Sequence, residues 1–186
     1  MCKLAKKYYE LHVAGCVRQL PILNVTDTLA IAGFVILGDT ELTQKTAREL
    51  VKKIPAHTEI LMTAETKGIP LAAEMARLLG MDRYVVARKD IKAYMENPLI
   101  VEDKSITTKG KQILCLTDTD VALIKEKNTL LVDDVISTGG SMNALAELAG
   151  KAGAEIIGRA AILAEGDACE RNDIVYLETL PLFNAE

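Results

Sequence analysis

Two adjacent aspartates followed by a turn of small residues stand out in the segment LLVDDVISTGGS, residues 130–141. Ionised carboxylates at Asp133 and Asp134 can accept hydrogen bonds from sugar hydroxyls or hold the water shell of Mg²⁺, which prefers carboxylate and substrate oxygens. A turn that opens a helix presents backbone N–H groups and hydroxyls to a phosphate, and glycine allows close approach because it lacks Cβ. The segment therefore predicts a site for a phosphorylated sugar, with phosphate bound by Ser137, Thr138, Gly139, Gly140 and Ser141.

Two other segments place anion-binding groups directly after predicted strands. In TAETKGIPLA, which opens a helix, Lys67 and the amides around Gly68 would donate hydrogen bonds to an anion. The segment VARKD ends the next predicted strand with the basic pair Arg88 and Lys89. An ordinary helix cap and an exposed basic pair explain these segments equally well when each is taken alone.

Helical periodicity and short apolar runs alternate along the middle of the chain. Several runs are continuous, as in strands that are buried on both faces. Alternating strands and helices predict an α/β fold with a mostly parallel sheet and with ligands at the carboxyl ends of the strands. The predicted helices are Thr43–Lys53, Ile69–Leu79 and Ser141–Ala152, and the predicted strands are Glu59–Thr63, Tyr84–Ala87, Gln112–Leu116, Thr129–Val132, Ile156–Leu163 and Ile174–Leu177.

One internal stretch and both ends of the chain lack this pattern. Residues 94–108 have no clean period and contain several charges, which is typical of a lid or a binding loop. Residues 1–42 and 165–186 lie outside the alternating unit, and we expect them to pack together as a cap over the ligand edge. At 186 residues, the chain fits a single domain.

Composition and charge exclude several classes of protein. The chain is 49% hydrophobic, which is enough for a core, and its 22 basic and 26 acidic residues give a net charge of −4. No basic block is long enough to bind a nucleic-acid backbone, so nucleic acid is not an expected partner. The four cysteines are widely spaced, which favours reduced thiols over a zinc site or a disulfide framework. No apolar run is long enough to cross a membrane, so we expect a cytoplasmic protein without membrane contact.

The acidic segment and its turn match the pattern of a known family. The turn lacks the Gly-Lys-Ser/Thr element of a Walker loop and the GxGxxG pattern. Instead, LLVDDVISTGGS resembles the phosphoribosyl diphosphate (PRPP) signature of the type I phosphoribosyltransferases, with Ser141 where the family more often has threonine. The motifs ETKGIPLA and RKD are similar to those of the adenine phosphoribosyltransferase branch and of the effector domain of the bacterial purine repressor.

This resemblance implies the type I phosphoribosyltransferase fold. That fold is a mostly parallel five-stranded sheet with helices on both faces, a flexible loop and a small hood. The hood would comprise residues 1–42 and 165–186, the core residues 43–164 and the flexible loop residues 94–108. Relatives are commonly dimers, so a homodimer is the implied assembly.

The resemblance also implies a reaction, in which a purine nitrogen displaces diphosphate from C1 of PRPP and gives a nucleoside monophosphate for purine salvage. The transition state would have oxocarbenium character, so the protein would contribute positioning and charge stabilisation rather than covalent catalysis. Mg²⁺ is the implied cofactor, with Asp133 and Asp134 as its ligands. The implied catalytic residues are Asp133, Asp134, Arg88 and Lys89, and the implied PRPP-binding residues are Glu65, Lys67, Gly68 and Ser137 to Ser141.

The identity of the purine base depends on fewer residues. Ser137 resembles a position at which the hypoxanthine and guanine enzymes have an aspartate that handles the proton of the base. Serine cannot act as that general base near neutral pH, which favours adenine, or alternatively xanthine. Phe34, Ile36 and Asp39 in the run LAIAGFVILGDTEL are candidate base-binding residues, although core packing of the hood explains them as well.

A second class of function competes with the enzyme. Like the purine repressor, the protein would then be a non-catalytic sensor of PRPP or a nucleotide. A repressor needs a DNA-binding module, and fewer than 60 residues precede the first predicted core strand, without a basic recognition helix. The sequence therefore favours the enzyme.

Overall fold

The computed structural model describes residues 7–103 and 112–185. None of the described helices has the length and apolar character to cross a membrane. In chain order the elements are β1 (Tyr8–Val13), β2 (Cys16–Asn24), β3 (Leu29–Ala32), α1 (Thr40–Leu50), β4 (Ile60–Ala64), α2 (Gly68–Leu78), β5 (Val85–Ala87), β6 (Leu99–Asp103), β7 (Gln112–Leu116), α3 (Asp118–Ile124), β8 (Asn128–Ile136), α4 (Gly140–Lys151), β9 (Glu155–Glu165), a 3₁₀ turn (Gly166–Glu170), β10 (Ile174–Val175), β11 (Glu178–Leu180) and β12 (Leu182–Asn184).

A parallel sheet forms the centre of the molecule, as the sequence predicts. Its strands lie in the order β10-β9-β8-β4-β5, every pairing is parallel, and β11 adds a sixth strand beside β9. All five residues of β4 are buried, and so are the last six of β9. Strands covered on both faces have no polar face, which explains their continuous apolar sequences.

Two apolar clusters cover the two faces of this sheet. Successive residues of β8 point to opposite faces, so Leu130 joins the cluster that contains α1 and α2, and Leu131 joins the cluster that contains α4. α3, which the sequence did not predict, adds Ile124 to the second cluster. At seven residues, α3 is too short to show helical periodicity, and a capping box between Thr117 and Asp120 starts it.

Two element boundaries differ from the prediction in ways that affect the acidic segment and α1. β8 continues to Ile136, so Asp133 and Asp134 lie within the strand rather than following its end, and Asp133 pairs with Ala161 of β9. α1 begins at Thr40 because the Asp39 carboxylate accepts a hydrogen bond from the Leu42 amide and caps the helix.

A second sheet joins the two ends of the chain. β1, β2, β3 and β12 form it in that order, and all its pairings are antiparallel. The β1–β2 hairpin turns at Ala14 and Gly15, both with positive φ, as a two-residue turn of this kind requires. Its inner side chains, Leu11 and Leu20 among them, pack on the α1 and α2 side of the core.

The expectation that residues 94–108 form one loop is wrong for residues 99–103. These residues are β6, which pairs with β7 in an antiparallel two-stranded sheet, so the predicted strand Gln112–Leu116 does not belong to the central sheet. Val101 anchors the hairpin because it is buried in the α4 cluster. Residues 104–108 of the predicted loop lie outside the described residues.

The start of α2 packs closely against β4 and β8, and we expect this contact to tolerate only glycine at position 68. A Cβ at Gly68 would overlap Thr63 Oγ1 and lie 3.2 Å from Cα of Asp133. Gly68→Ala should therefore lower the free energy of unfolding by about 1–3 kcal/mol in urea titrations. Gly150→Ala is the matched control, because Gly150 lies in α4 with open space around it, and it should stabilise by about 0.5–1 kcal/mol. Equal stability of the two variants would contradict this packing.

Candidate active site

The carboxyl ends of β4, β5 and β8 meet at one cavity of about 260 Å³. Open α/β sheets bind ligands at this edge. Residues from all three predicted segments line the cavity, although they are far apart in the sequence. The predicted site residues that line it are Glu65, Lys67, Lys89, Asp133, Asp134, Ser137, Thr138, Gly139, Gly140 and Ser141.

The acidic pair lies at the inner wall of the cavity. The Asp134 side chain is 3% exposed, and its Oδ2 lies 3.0 Å from Lys67 Nζ in an ion pair. Asp133 Oδ1 accepts a hydrogen bond of 2.8 Å from the Asp134 amide. Burial, and then the charge of Asp134, raise the pKa of Asp133 to about 7. The pair therefore holds its second negative charge with difficulty and would gain from a hydroxyl donor or a cation.

Gly68 is not a lining residue but lies behind the acidic pair. It is the first residue of α2, and a Cβ there would lie 3.2 Å from Asp133 Oδ1. The positive end of the helix dipole therefore faces the carboxylate of Asp133. Close packing accounts for the glycine at position 68, and its predicted contact with PRPP stays a prediction.

The turn between β8 and α4 provides the polar floor of the cavity. Gly139 has φ +80°, a left-handed conformation that side chains with a Cβ rarely adopt, and it is the N-cap of α4. The start of α4 thus follows a run of small residues whose amides and hydroxyls surround one end of the cavity. This is an arrangement suited to a phosphate group.

Glu65 connects the ends of β4 and β5. Its Oε2 accepts a hydrogen bond of 2.9 Å from the Lys89 amide, and its Oε1 lies 3.4 Å from Arg88 Nε. The peptide bond between Glu65 and Thr66 is cis. The hydrogen bond from the Lys89 amide to Glu65 holds Lys89 at the edge of the cavity, so Glu65 positions a cation there.

The two basic residues after β5 do not reach the same place. Lys89 lines the main cavity, whereas Arg88 lines a neighbouring cavity of about 440 Å³ together with Tyr84 and Tyr94. Successive side chains of an extended chain point in opposite directions. Two adjacent basic residues in the sequence therefore need not face the same cavity. The two side chains therefore line different cavities, and their joint action on one ligand stays a prediction.

The three candidate base-binding residues also lie away from the main cavity. Ile36 is 0% exposed and Phe34 is 6% exposed, and both belong to the core. Asp39 caps α1 and receives two hydrogen bonds from the Arg18 guanidinium, of 2.6 and 2.9 Å, and this contact lowers the pKa of Asp39. Packing and helix capping therefore account for these residues.

Among the described residues, no group of three or more histidine, cysteine, aspartate or glutamate side chains is arranged to hold a metal ion. Mg²⁺ needs no such cage, because it often binds through one or two carboxylates together with substrate phosphates and water. Asp133 fits this role, since a cation would favour the ionised carboxylate that burial disfavours.

Comparison with known proteins agrees with this geometry. The profile of the phosphoribosyl transferase domain family matches residues 40–182, which include every strand end at the cavity. The chain belongs to this family. It is 31% identical to the hypoxanthine/guanine phosphoribosyltransferase of Methanococcus voltae over 137 residues, 74% of this chain and 69% of that protein. It is 27% identical to the adenine phosphoribosyltransferase of Rhodospirillum rubrum over 151 residues, 79% of this chain and 83% of that protein.

Solved structures of phosphoribosyltransferases share the fold. Adenine phosphoribosyltransferase from Rhodothermus marinus superposes with a TM-score of 0.64 at 21% identity, covering 78% of this chain and 83% of that one. The enzyme from Thermoanaerobacter pseudethanolicus gives a TM-score of 0.62 at 21% identity, covering 77% and 83%. This member of the phosphoribosyl transferase domain family therefore has the α/β fold that its sequence predicts.

The raised pKa of Asp133 predicts how stability depends on pH. An unfolded aspartate titrates near 3.8 and the folded one near 7, so the folded state binds this proton more tightly. Stabilisation from the protonated group is complete below about pH 4 and is lost as pH rises through about 7. Relative to Asp133→Asn, the wild-type protein should lose roughly 1–3 kcal/mol of unfolding free energy across this range in urea titrations.

Asp39→Asn is the control with the opposite sign. Because the Arg18 hydrogen bonds lower the pKa of Asp39, its contribution exists at neutral pH and is lost as pH falls. This variant should be less stable than the wild-type protein at neutral pH and converge with it in acid. Parallel pH profiles for wild type and Asp133→Asn would contradict the assignment of a half-buried, readily protonated Asp133.

Proposed function

We propose that this phosphoribosyltransferase transfers the 5-phosphoribosyl group of PRPP to a ring nitrogen of a purine base, releasing diphosphate and a nucleoside monophosphate. The observation that carries the proposal is the single cavity that combines two lysines, an acidic pair and a small-residue turn. PRPP has the complementary order of groups, with a diphosphate at C1, hydroxyls at C2 and C3, and a phosphate at C5.

Each part of the cavity then has a partner on PRPP. The turn Ser137 to Ser141 binds the 5′-phosphate through amides and hydroxyls at the start of α4. Asp133 and Asp134 accept hydrogen bonds from the ribose hydroxyls. Lys67 and Lys89 hold the diphosphate and stabilise the charge that develops on it as it leaves. Fixing the sugar at both ends keeps C1 in place for the incoming nitrogen.

The Lys67–Asp134 ion pair links the substrate-free and substrate-bound states. Without substrate, Lys67 forms an ion pair with the buried carboxylate of Asp134 and balances its charge. A bound diphosphate competes for the lysine, and ribose hydroxyls replace it at Asp134. The free protein thus avoids an unpaired buried charge, and the exchange ties diphosphate binding to sugar binding.

Arg88 enters the proposal as a positioning residue. Its guanidinium lies beside Glu65, which in turn accepts the Lys89 amide hydrogen bond, and it faces the neighbouring cavity. Lys89 is accordingly the member of the basic pair that acts on diphosphate.

The family generally uses Mg²⁺ with PRPP, and Asp133 and Asp134 are the residues that would hold it. When bound, the ion would neutralise phosphate charge and favour departure of diphosphate. The chain itself supplies the carboxylates that orient the ribose and the lysines that complete the charge balance.

Adenine is the base we propose, because Ser137 stands where the hypoxanthine and guanine enzymes have an aspartate that handles a proton of the base, and serine cannot act as that general base near neutral pH. Hypoxanthine or guanine is the second candidate, favoured by the 31% identical relative named for those bases. In this proposal the sheet of β1, β2, β3 and β12 is the hood that selects the base.

The test is to incubate the protein with PRPP, Mg²⁺ and one purine base at a time, and to measure nucleotide and diphosphate. Adenine should give AMP at a kcat/KM at least about tenfold above that for hypoxanthine, guanine or xanthine, the discrimination that a few polar contacts supply. Native mass measured on the same sample tests the expected homodimer. Tight PRPP binding without product from any base would overturn the transferase assignment and favour a sensor.

The acidic pair gives a second test. Asp133→Asn with Asp134→Asn retains size and shape but removes the negative charge, so PRPP turnover should fall by about 10³-fold or more. Asp118→Asn, an exposed acid at the start of α3, is the matched control and should retain wild-type turnover. Full turnover in the double variant, with its fold verified by circular dichroism, would exclude the ribose assignment.

A further inference from the structure

An arginine from the C-terminal part of the chain reaches the small-residue turn at Gly139. A Cβ built on Gly139 would lie 2.9 Å from Arg171 Nη1, so the guanidinium approaches the backbone of the turn at this glycine. Arg171 follows the 3₁₀ turn after β9, in a region that the sequence analysis assigned to the hood. No motif marks it, because it is 32 positions from Gly139 in the sequence.

Asp173 fixes the orientation of this guanidinium. Arg171 Nε donates to Asp173 Oδ1 at 2.9 Å, and Nη2 donates to Oδ2 at 2.7 Å, which is a bidentate pair. Nη1 is left on the side of the turn, and within residues 7–103 and 112–185 no group accepts a hydrogen bond from it. An oriented cation with unused donors therefore borders the turn.

The charge of this cluster is positive. Asp173 also accepts a hydrogen bond of 2.6 Å from Arg159 Nη1, so two arginines share one carboxylate. The segment from Leu130 to Ser141 contains two aspartates and no lysine or arginine, and the turn itself offers only neutral donors. A phosphate with close to two negative charges in the turn would gain from the positive charge of this cluster.

We propose that Arg171, oriented by Asp173, is a phosphate-binding residue that supplies the positive charge for the 5′-phosphate of the phosphoribosyl group. The inference rests on the proposed function, because it places that phosphate in the turn. Arginine suits the position, since its planar guanidinium can bind a carboxylate through one edge and still present a donor to a phosphate. Glycine is then needed at position 139 for two reasons: the backbone has a positive φ there, and a Cβ would leave no room for the Arg171 guanidinium.

The experiment uses ligands that represent the two ends of PRPP. Titration calorimetry with Mg²⁺ present measures the Kd of ribose 5-phosphate, which occupies the turn, and of diphosphate, which occupies the lysine end. Arg171→Gln should raise the Kd of ribose 5-phosphate by about 10- to 100-fold, the range for a lost charge-assisted contact, and change the Kd of diphosphate less than about twofold.

Two further variants separate binding from structure. Arg171→Lys retains the positive charge but lacks the planar guanidinium with its several donors, and it should bind ribose 5-phosphate more tightly than Arg171→Gln but less tightly than the wild-type protein. Arg159→Gln removes the other arginine on Asp173 while leaving the Arg171–Asp173 pair, and it should bind ribose 5-phosphate with nearly wild-type affinity.

The outcomes distinguish this inference from the proposed function. If the wild-type protein binds neither ligand, the proposed function fails and the role of Arg171 fails with it. If the wild-type protein binds both ligands and Arg171→Gln retains wild-type affinity for ribose 5-phosphate, only the role of Arg171 is overturned. Equal losses for ribose 5-phosphate and diphosphate would also overturn it, because they would indicate that Arg171 maintains the structure of the whole site.

Discussion

Two adjacent carboxylates inside a parallel strand are the constraint on which the rest of the site depends. A pair of like charges of which one is buried and the other half-buried, as Asp134 and Asp133 are, is unfavourable unless a cation, a helix dipole or a proton compensates it. The molecule uses all three, with Lys67 3.0 Å from Asp134, the start of α2 beside Asp133, and a pKa of about 7 for Asp133. The close packing of Gly68 follows from this need, because α2 must begin directly against β8.

This arrangement leaves the site incomplete without a ligand. In a core selected for stability alone, apolar side chains would replace the buried charges, because such replacements often leave stability unchanged or increase it. Retaining the pair at the ligand edge of the sheet means that hydroxyls or a cation improve its environment when they bind. The stability and the binding capacity of this edge are thus opposed, which is common at functional sites.

The sequence predicts the central fold and most of the cavity because their signals are local. The apolar runs of β4 and β9 and the turn after β8 each lie within about a dozen residues. The terminal sheet depends on Leu182 pairing with Ile31, across almost the whole chain, and the two strands that make this pairing, β3 and β12, have only four and three residues. The opposite directions of Arg88 and Lys89, and the burial of Ile36, depend on packing that no local pattern encodes.

The overall charge of the chain says little about the charge of its ligand. The net charge is −4, yet two lysines, Lys67 and Lys89, line the main cavity, and the Arg171 guanidinium lies close to Gly139 of the turn. The acidic pair lines the same cavity as the lysines. In the proposed binding mode, positive groups face both ends of the ligand and the acidic pair faces its middle. This arrangement favours a ligand with anions at its two ends and hydroxyls in the middle. It disfavours such a ligand in the reversed orientation less than it disfavours a ligand with only one anion. The difference between the two groups of donors therefore decides the orientation of the ligand. Backbone amides and hydroxyls at the turn fit a terminal phosphate, while two lysine side chains suit a diphosphate that must depart.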